Sequence, residues 1–276
     1  MKKLLPLLAV LLLSGCNAQR TMLYHPSSHM PSPAELAADR IQFWPSGGSA
    51  YRGFIGTAPT GAVKGTIVVF HGNAGNAADR AYYVNPLSVL GYRVVLAEYP
   101  GYGARAGKPG EASFVRDARE TVRLAYERYG KPVYLLGESL GCGVAAAVAG
   151  DAPSLIDGIL LITPWDTLLS VAQEKFPWFP VRLFLSDAYD SVGNLKAFLG
   201  RIAVVGAEND RVIPIHHARA LYDALPGPKR MWTIKGAGHN DWLDAIDLVW
   251  WREIIGFAAG SKGPKASGDT DSMTGT

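Results

Sequence analysis

The chain has 276 residues, 48% of them apolar and 18% charged, and its 27 basic and 24 acidic side chains leave a formal charge of +3. That size and balance suit one α/β domain with an ample core and exclude a disordered chain. The weak charge is spread out, with no run of Lys or Arg, which excludes a nucleic-acid surface.

The start of the chain reads differently from the rest. Lys2 and Lys3 precede the apolar run 4–13, and Ser14, Gly15 and Cys16 follow. A basic start, a short apolar core and small residues make a secretory signal over 1–15, too short for a transmembrane helix. The ending L-S-G-C resembles the bacterial lipobox, which implies cleavage before Cys16 and lipid attachment to its sulfur. Asn17 stands where an aspartate would favour inner-membrane retention. The resemblance therefore points to a cell-envelope protein tethered to the outer membrane through lipidated Cys16. The alternative is ordinary signal cleavage beside an incidental cysteine. If Cys16 is lipidated, Cys142 has no disulfide partner and reads as a small core residue.

Residues 16–40 are polar and proline-rich and read as a tether and domain entry. His25 and His29 have no companions at metal-ligand spacing. The domain itself spans 41–260. Segments 41–44 and 51–57 flank Pro-Ser-Gly-Gly-Ser and predict a hairpin. A buried strand over 65–70 ends in H-G-N-A-G-N, and a helix follows over 77–90. A strand over 92–97 ends in E-Y-P-G-Y-G, and a helix over 111–129 carries Phe114, Ala118, Val122 and Ala125 at helical spacing. A strand over 133–136, a glycine-rich turn and a small-residue helix come next, then a strand over 156–162. Residues 163–200 break the rhythm and form a short lid. Its Trp165, Phe176, Trp178, Phe179 and Phe184 either line an acyl pocket or make the lid's own core. Strand 202–206, helix 214–225, strand 231–234 and helix 241–257 complete the domain, and 261–276 is a polar tail expected to be disordered.

Strands alternating with helices define the fold class as α/β, a mostly parallel sheet with helices on both faces and right-handed crossovers. Ligand sites of such sheets lie at the carboxyl ends of the strands. His71 to Asn76, Glu98 to Gly103, Ser139, Asp210 and His239 all fall at strand ends.

Gly137-Glu138-Ser139-Leu140-Gly141 lies between a strand and a helix, the setting in which G-x-S-x-G is a nucleophile elbow. A serine on that tight turn projects its hydroxyl, and glycines on either side let neighbouring backbone come close. Serine needs a base, and His239, on the glycine-rich loop after the last strand, is the best placed. His216 and His217 fall inside a helix and read as exposed or helix-packing residues, while His71 shapes its loop. The base needs an orienting acid, and Asp210 supplies it in the chain order Ser–Asp–His, with Glu208 as the fallback. Arg211, beside Asp210, reads as a loop salt-bridge partner rather than a carboxylate clamp. Asp241 and Asp244 read as favourable charges opening the last helix. An oxyanion hole wants two N–H donors. One is that of Leu140, and the other is the main-chain N–H of Asn73, with Ala74 as alternate.

H-G-N-A-G-N, Y-P-G-Y-G, G-E-S-L-G, A-E-N-D-R-V-I-P and G-A-G-H-N-D stand in this order along the chain. On these motifs, over about 24–258, the chain resembles α/β-hydrolase-fold serine hydrolases of the serine aminopeptidase-like branch. The resemblance implies Ser139 as nucleophile, Asp210 as acid, His239 as base, Asn73 and Leu140 as oxyanion donors, and no cofactor or metal. The expected activity is hydrolysis of a small or medium acyl ester or thioester. The alternatives are a peptidase or amidase on the same triad, or a tethered binding protein without catalysis.

Overall fold

The computed structural model describes residues 19–57 and 61–260. The signal over 1–15, Cys16 and the tail 261–276 lie outside the described residues. The apolar runs of the sequence become the strands of one sheet. These are β1 (Ile41–Trp44), β2 (Gly53–Gly56), β3 (Gly65–Phe70), β4 (Tyr92–Ala97), β5 (Val133–Glu138), β6 (Gly158–Ile162), β7 (Arg201–Ala207) and β8 (Lys229–Ile234). Their order across the sheet is β1-β2-β4-β3-β5-β6-β7-β8. β2 runs antiparallel to both β1 and β4, and the other neighbours are parallel.

β3 and β6 are buried along their whole length, because helices cover both faces. The helices are α1 (Pro33–Ala38), α2 (Val84–Val89), α3 (Glu111–Tyr129), α4 (Leu140–Asp151), α5 (Leu168–Lys175), α6 (Ser191–Leu195), α7 (Ile215–Ala224) and α8 (Leu248–Ala258). Alternate side chains of each strand enter opposite cores. Val68, Leu135 and Ile159 pack with Phe114, Val122 and Val144 on one face. Ile67, Leu136 and Leu160 pack with Leu87, Trp251 and Ile254 on the other. α4 is apolar all round, as a helix enclosed between a sheet and other helices must be. Its small residues admit close neighbours: a Cβ on Gly143 would lie 2.7 Å from the Tyr189 ring.

Two expectations change at this level. The helix expected over 77–90 divides into a tight turn of helix at Ala78–Tyr83 and the short α2. Pro86 has no N–H to donate, so it fits only in the first turn of an α-helix, which is where α2 places it. The last helix opens at Asp247, whose carboxylate accepts the Trp250 N–H at 2.8 Å, and not at Asp241 or Asp244. Asp241 instead accepts the Gly238 N–H at 2.5 Å and so folds back onto the loop that carries His239.

The segment expected to form a tether and domain entry lies against the domain from Gln19 onward, where the Gln19 side-chain oxygen accepts the Ser186 N–H at 2.6 Å. Tyr24 is buried, and its hydroxyl donates to Asp187 Oδ2 at 2.7 Å. His25–Pro26 pairs in parallel with Ala74–Gly75, and Asn76 donates to the His29 carbonyl. α1 is held by a capping box of Ser32 and Glu35.

In segment 163–200 the aromatic residues divide. Trp165 is 3% exposed, donates its indole N–H to the Tyr189 carbonyl and belongs to the domain core. Trp178 is 97% exposed. Phe176, Phe179 and Phe184 surround a cavity of about 450 Å3 together with Met22 and Leu168. The lining of that cavity comes from residues 19–23 and 168–185, which makes it a cavity between segment 163–200 and the chain entry.

Candidate active site

Ser139 connects β5 to α4 with φ 52° and ψ −115°, a backbone shape that a residue with a Cβ adopts only under strain. Two glycines make the turn sterically feasible. A Cβ on Gly137 would lie 2.6 Å from the Gly141 oxygen, and one on Gly141 would lie 1.9 Å from the Phe70 oxygen. The start of α4 therefore presses directly on the ends of β5 and β3.

Asp210 and His239 lie beyond the ends of β7 and β8, and the structure brings both to Ser139. His239 Nε2 is 3.0 Å from Ser139 Oγ, and His239 Nδ1 is 2.7 Å from Asp210 Oδ2. An ionised carboxylate only accepts, so Nδ1 carries the proton facing Asp210. Nε2 of the neutral ring is then free to accept from the serine hydroxyl. Ser139 is 8% exposed and Asp210 is 7% exposed, so this hydrogen-bonded chain is largely shielded from water. Asp210 is aimed by its own loop, since Oδ1 accepts the N–H groups of Val212 at 2.8 Å and Ile213 at 2.7 Å.

That arrangement corrects the expectation for Arg211. Backbone N–H groups hold Asp210, while the Arg211 carbonyl accepts from Lys175 Nζ at 2.6 Å. Glu208, the fallback acid, is exposed and bonds Lys235 and the Gly236 N–H. Leu140 is the first residue of α4, so its N–H has no partner within the helix. Asn73 lies on the loop after β3, fixed by its carbonyl, which accepts from Tyr102 Oη at 2.7 Å and the His25 N–H at 2.9 Å. That loop adjoins the serine: a Cβ built on Gly72 would be 3.7 Å from the Ser139 Cβ.

Two carboxylates support these loops, Glu98 fully buried and Glu138 partly so. Glu98 accepts from Tyr51 Oη at 3.2 Å and the Ala77 N–H at 3.0 Å, and it meets His71 Nε2 at 3.1 Å. His71 shapes its loop as expected, with Nδ1 2.8 Å from the Gly72 carbonyl. Glu138, beside the serine, accepts from Tyr82 at 2.7 Å and Tyr83 at 2.8 Å and pairs with Arg80 at 3.3 Å. Burial pushes the Tyr83 hydroxyl well above its ordinary pKa, so it stays a donor. An acidic residue in an otherwise apolar strand end is the signal that marks both carboxylates in the sequence. Cys142 is fully buried, with its thiol against the Gly137 and Ile162 carbonyls, and burial pushes its pKa up. It is a core residue.

Sheet order, crossovers and site position together define an α/β hydrolase fold. The family profile of that fold matches residues 65–195. The chain is 30% identical over 200 residues to the "Putative alpha/beta hydrolase L404" of Acanthamoeba polyphaga mimivirus, covering 69% of this chain and 73% of that one. It belongs to the α/β hydrolase family. It is also 32% identical over 185 residues to the lysophosphatidylserine lipase ABHD12 of Rattus norvegicus, covering 59% of this chain and 46% of that protein. The solved esterase Pf2001 of Pyrococcus furiosus shares the fold with a TM-score of 0.66 at 14% identity, covering 87% of this chain and 99% of that one.

Proposed function

We propose that the protein is a serine hydrolase that cleaves small or medium acyl esters or thioesters while tethered to the cell envelope. The observation that carries this reading is the hydrogen-bonded chain from Ser139 through His239 to Asp210, at 3.0 and 2.7 Å. In the reaction, Ser139 Oγ attacks the ester carbonyl carbon as its proton passes to His239 Nε2. The charge on the carbonyl oxygen is met by the N–H groups of Leu140 and Asn73. The tetrahedral intermediate collapses, His239 protonates the departing alcohol or thiol, and an acyl-enzyme remains on Ser139. Water then attacks the acyl carbon as its proton passes to His239, and His239 returns that proton to Ser139 Oγ as the acid leaves. Asp210 keeps the imidazole in the required tautomer throughout. The similarity to a protein named as a lysophosphatidylserine lipase favours a lipid-derived ester.

The test is a chain-length series of p-nitrophenyl esters, beside labelling with a fluorophosphonate. Hydrolysis with an optimum acyl length and a label on Ser139 is the expected outcome. Labelling without hydrolysis of any ester would replace the reading with a peptidase or amidase on the same residues. Neither labelling nor hydrolysis by folded protein would leave a binding protein.

The tether rests on the lipobox ending at Cys16. An apolar edge close to the chain entry suits a lipid surface: Met22 is 61% exposed, Trp178 97% and Leu183 68%. Cys16→Ser is expected to move the protein from the membrane to the soluble fraction after cell disruption. Unchanged fractionation of that variant would remove the lipid anchor from the proposal.

A further inference from the structure

Away from Ser139, three side chains of α5 and α7 converge in a way that hydrolysis does not use. Glu174 Oε2 lies 2.7 Å from His216 Nε2 and 3.0 Å from His217 Nε2. The donor atoms of all three residues lie within 4.8 Å of one another. His217 is 4% exposed, and its other nitrogen, Nδ1, is 2.9 Å from Asp166 Oδ1. Asp166 is in turn held by the Ser170 hydroxyl at 2.5 Å. A carboxylate on Nδ1 fixes a proton there and aims Nε2 at Glu174, to which it donates until an arriving ion displaces that second proton.

We propose that Glu174, His216 and His217 bind a divalent cation of the zinc class, with Asp166 orienting His217 from behind. Imidazole nitrogen with one carboxylate oxygen is the donor set such ions select, and Ca2+ or Mg2+ would want oxygen alone. Bonds of about 2.1 Å in a tetrahedron set donor atoms about 3.4 Å apart. The two spacings to Glu174 need to open by well under an ångström to admit the ion. His216 and Glu174 have side chains 57% and 43% exposed, which gives the cation an entry path and a fourth position for water. On binding, each Nε2 gives up any proton it carries to solvent and donates its lone pair to the ion, while His217 keeps Nδ1–H toward Asp166.

The ion would join α5 of the lid to the first turn of α7. That turn follows directly on the loop whose Val212 and Ile213 N–H groups aim Asp210. A second bond runs across the same junction, from Lys175 Nζ to the Arg211 carbonyl. A bound cation would therefore pin the lid to the loop of the acid.

The experiment uses untagged full-length protein in detergent, stripped with a chelator and titrated with Zn2+ alone. Calorimetry and elemental analysis are expected to give one zinc per chain, with the unfolding midpoint rising by about 5 °C in excess zinc. Glu174→Gln and His216→Ala, both at exposed positions, should each weaken binding at least about tenfold, and Asp166→Asn about tenfold as well. His29→Ala, which alters the exposed pair His29–Glu35, should bind as wild type does. Less than half an equivalent of zinc at saturation, or equal affinity in wild type, Glu174→Gln and His216→Ala, would overturn the site. These readouts do not depend on ester turnover.

Discussion

Ser139→Ala is expected to lower the rate of p-nitrophenyl ester hydrolysis by roughly 10^4-fold or more, the scale on which triad enzymes lose kcat when the nucleophile goes. Binding of ester should change little, so the loss belongs in kcat with KM nearly constant. The protein should remain folded. Serine and alanine share a Cβ, so both carry the strain of φ 52° at this position, and the strain cancels in the comparison. The one bond removed, from Oγ to His239 Nε2, links two side chains at the edge of the site. An unfolding midpoint within about 2 °C of wild type is therefore expected, given about 1 kcal/mol or less for one such bond. Hydrolysis retained by the variant would remove Ser139 as nucleophile. Loss of activity together with loss of folding would make the comparison uninformative about mechanism, and fluorophosphonate labelling of the wild type then decides the assignment.

Glu98→Ala should produce the largest loss of stability, about 3 to 5 kcal/mol. The carboxylate is 1% exposed and collects the Tyr51 hydroxyl, the N–H groups of Ala77 and Tyr99, and His71 Nε2. Removing it strands several polar groups in the interior, each costing about 1 to 3 kcal/mol when no water can replace the partner. It also opens a cavity that the close-packed tyrosines cannot fill. Calorimetric unfolding should show a midpoint lowered by about 10 °C, and Glu98→Gln, which keeps an acceptor, should lose less. A midpoint within about 2 °C of wild type would show that these groups find other partners. His71 and Gly72 precede Asn73 on the same loop, so ester turnover should fall as well, more steeply than the folded fraction.

Much of the site was legible because its motifs obey local rules. A serine between a strand and a small-residue helix, flanked by glycines that clear the Phe70 carbonyl, is a steric statement that five residues make alone. The order Ser139, Asp210, His239 followed from strand ends, since a parallel sheet gathers those ends at one edge. The carboxylates Glu98 and Glu138 had no role in that reading. Their partners sit on other elements, Tyr51 before β2 and Tyr82 in the turn of helix before α2, and no spacing rule links them. Arg211 misled for the same reason. A neighbouring opposite charge invites a pair, but the tight loop offered Asp210 two N–H donors that need no side-chain ordering.

Fold class, the alternation of strand and helix, and the meeting of Ser139, His239 and Asp210 at the strand ends were all legible in the order of the residues. Those depend on periodicity and turn chemistry, which are properties of short segments. Long-range packing is what puts Tyr24 in the core, buries Trp165 while Trp178 stands in solvent, and turns His216 and His217 toward Glu174. Each of these joins residues distant in the chain. Burial and pairing at such range are set by how whole elements pack, which no local pattern records.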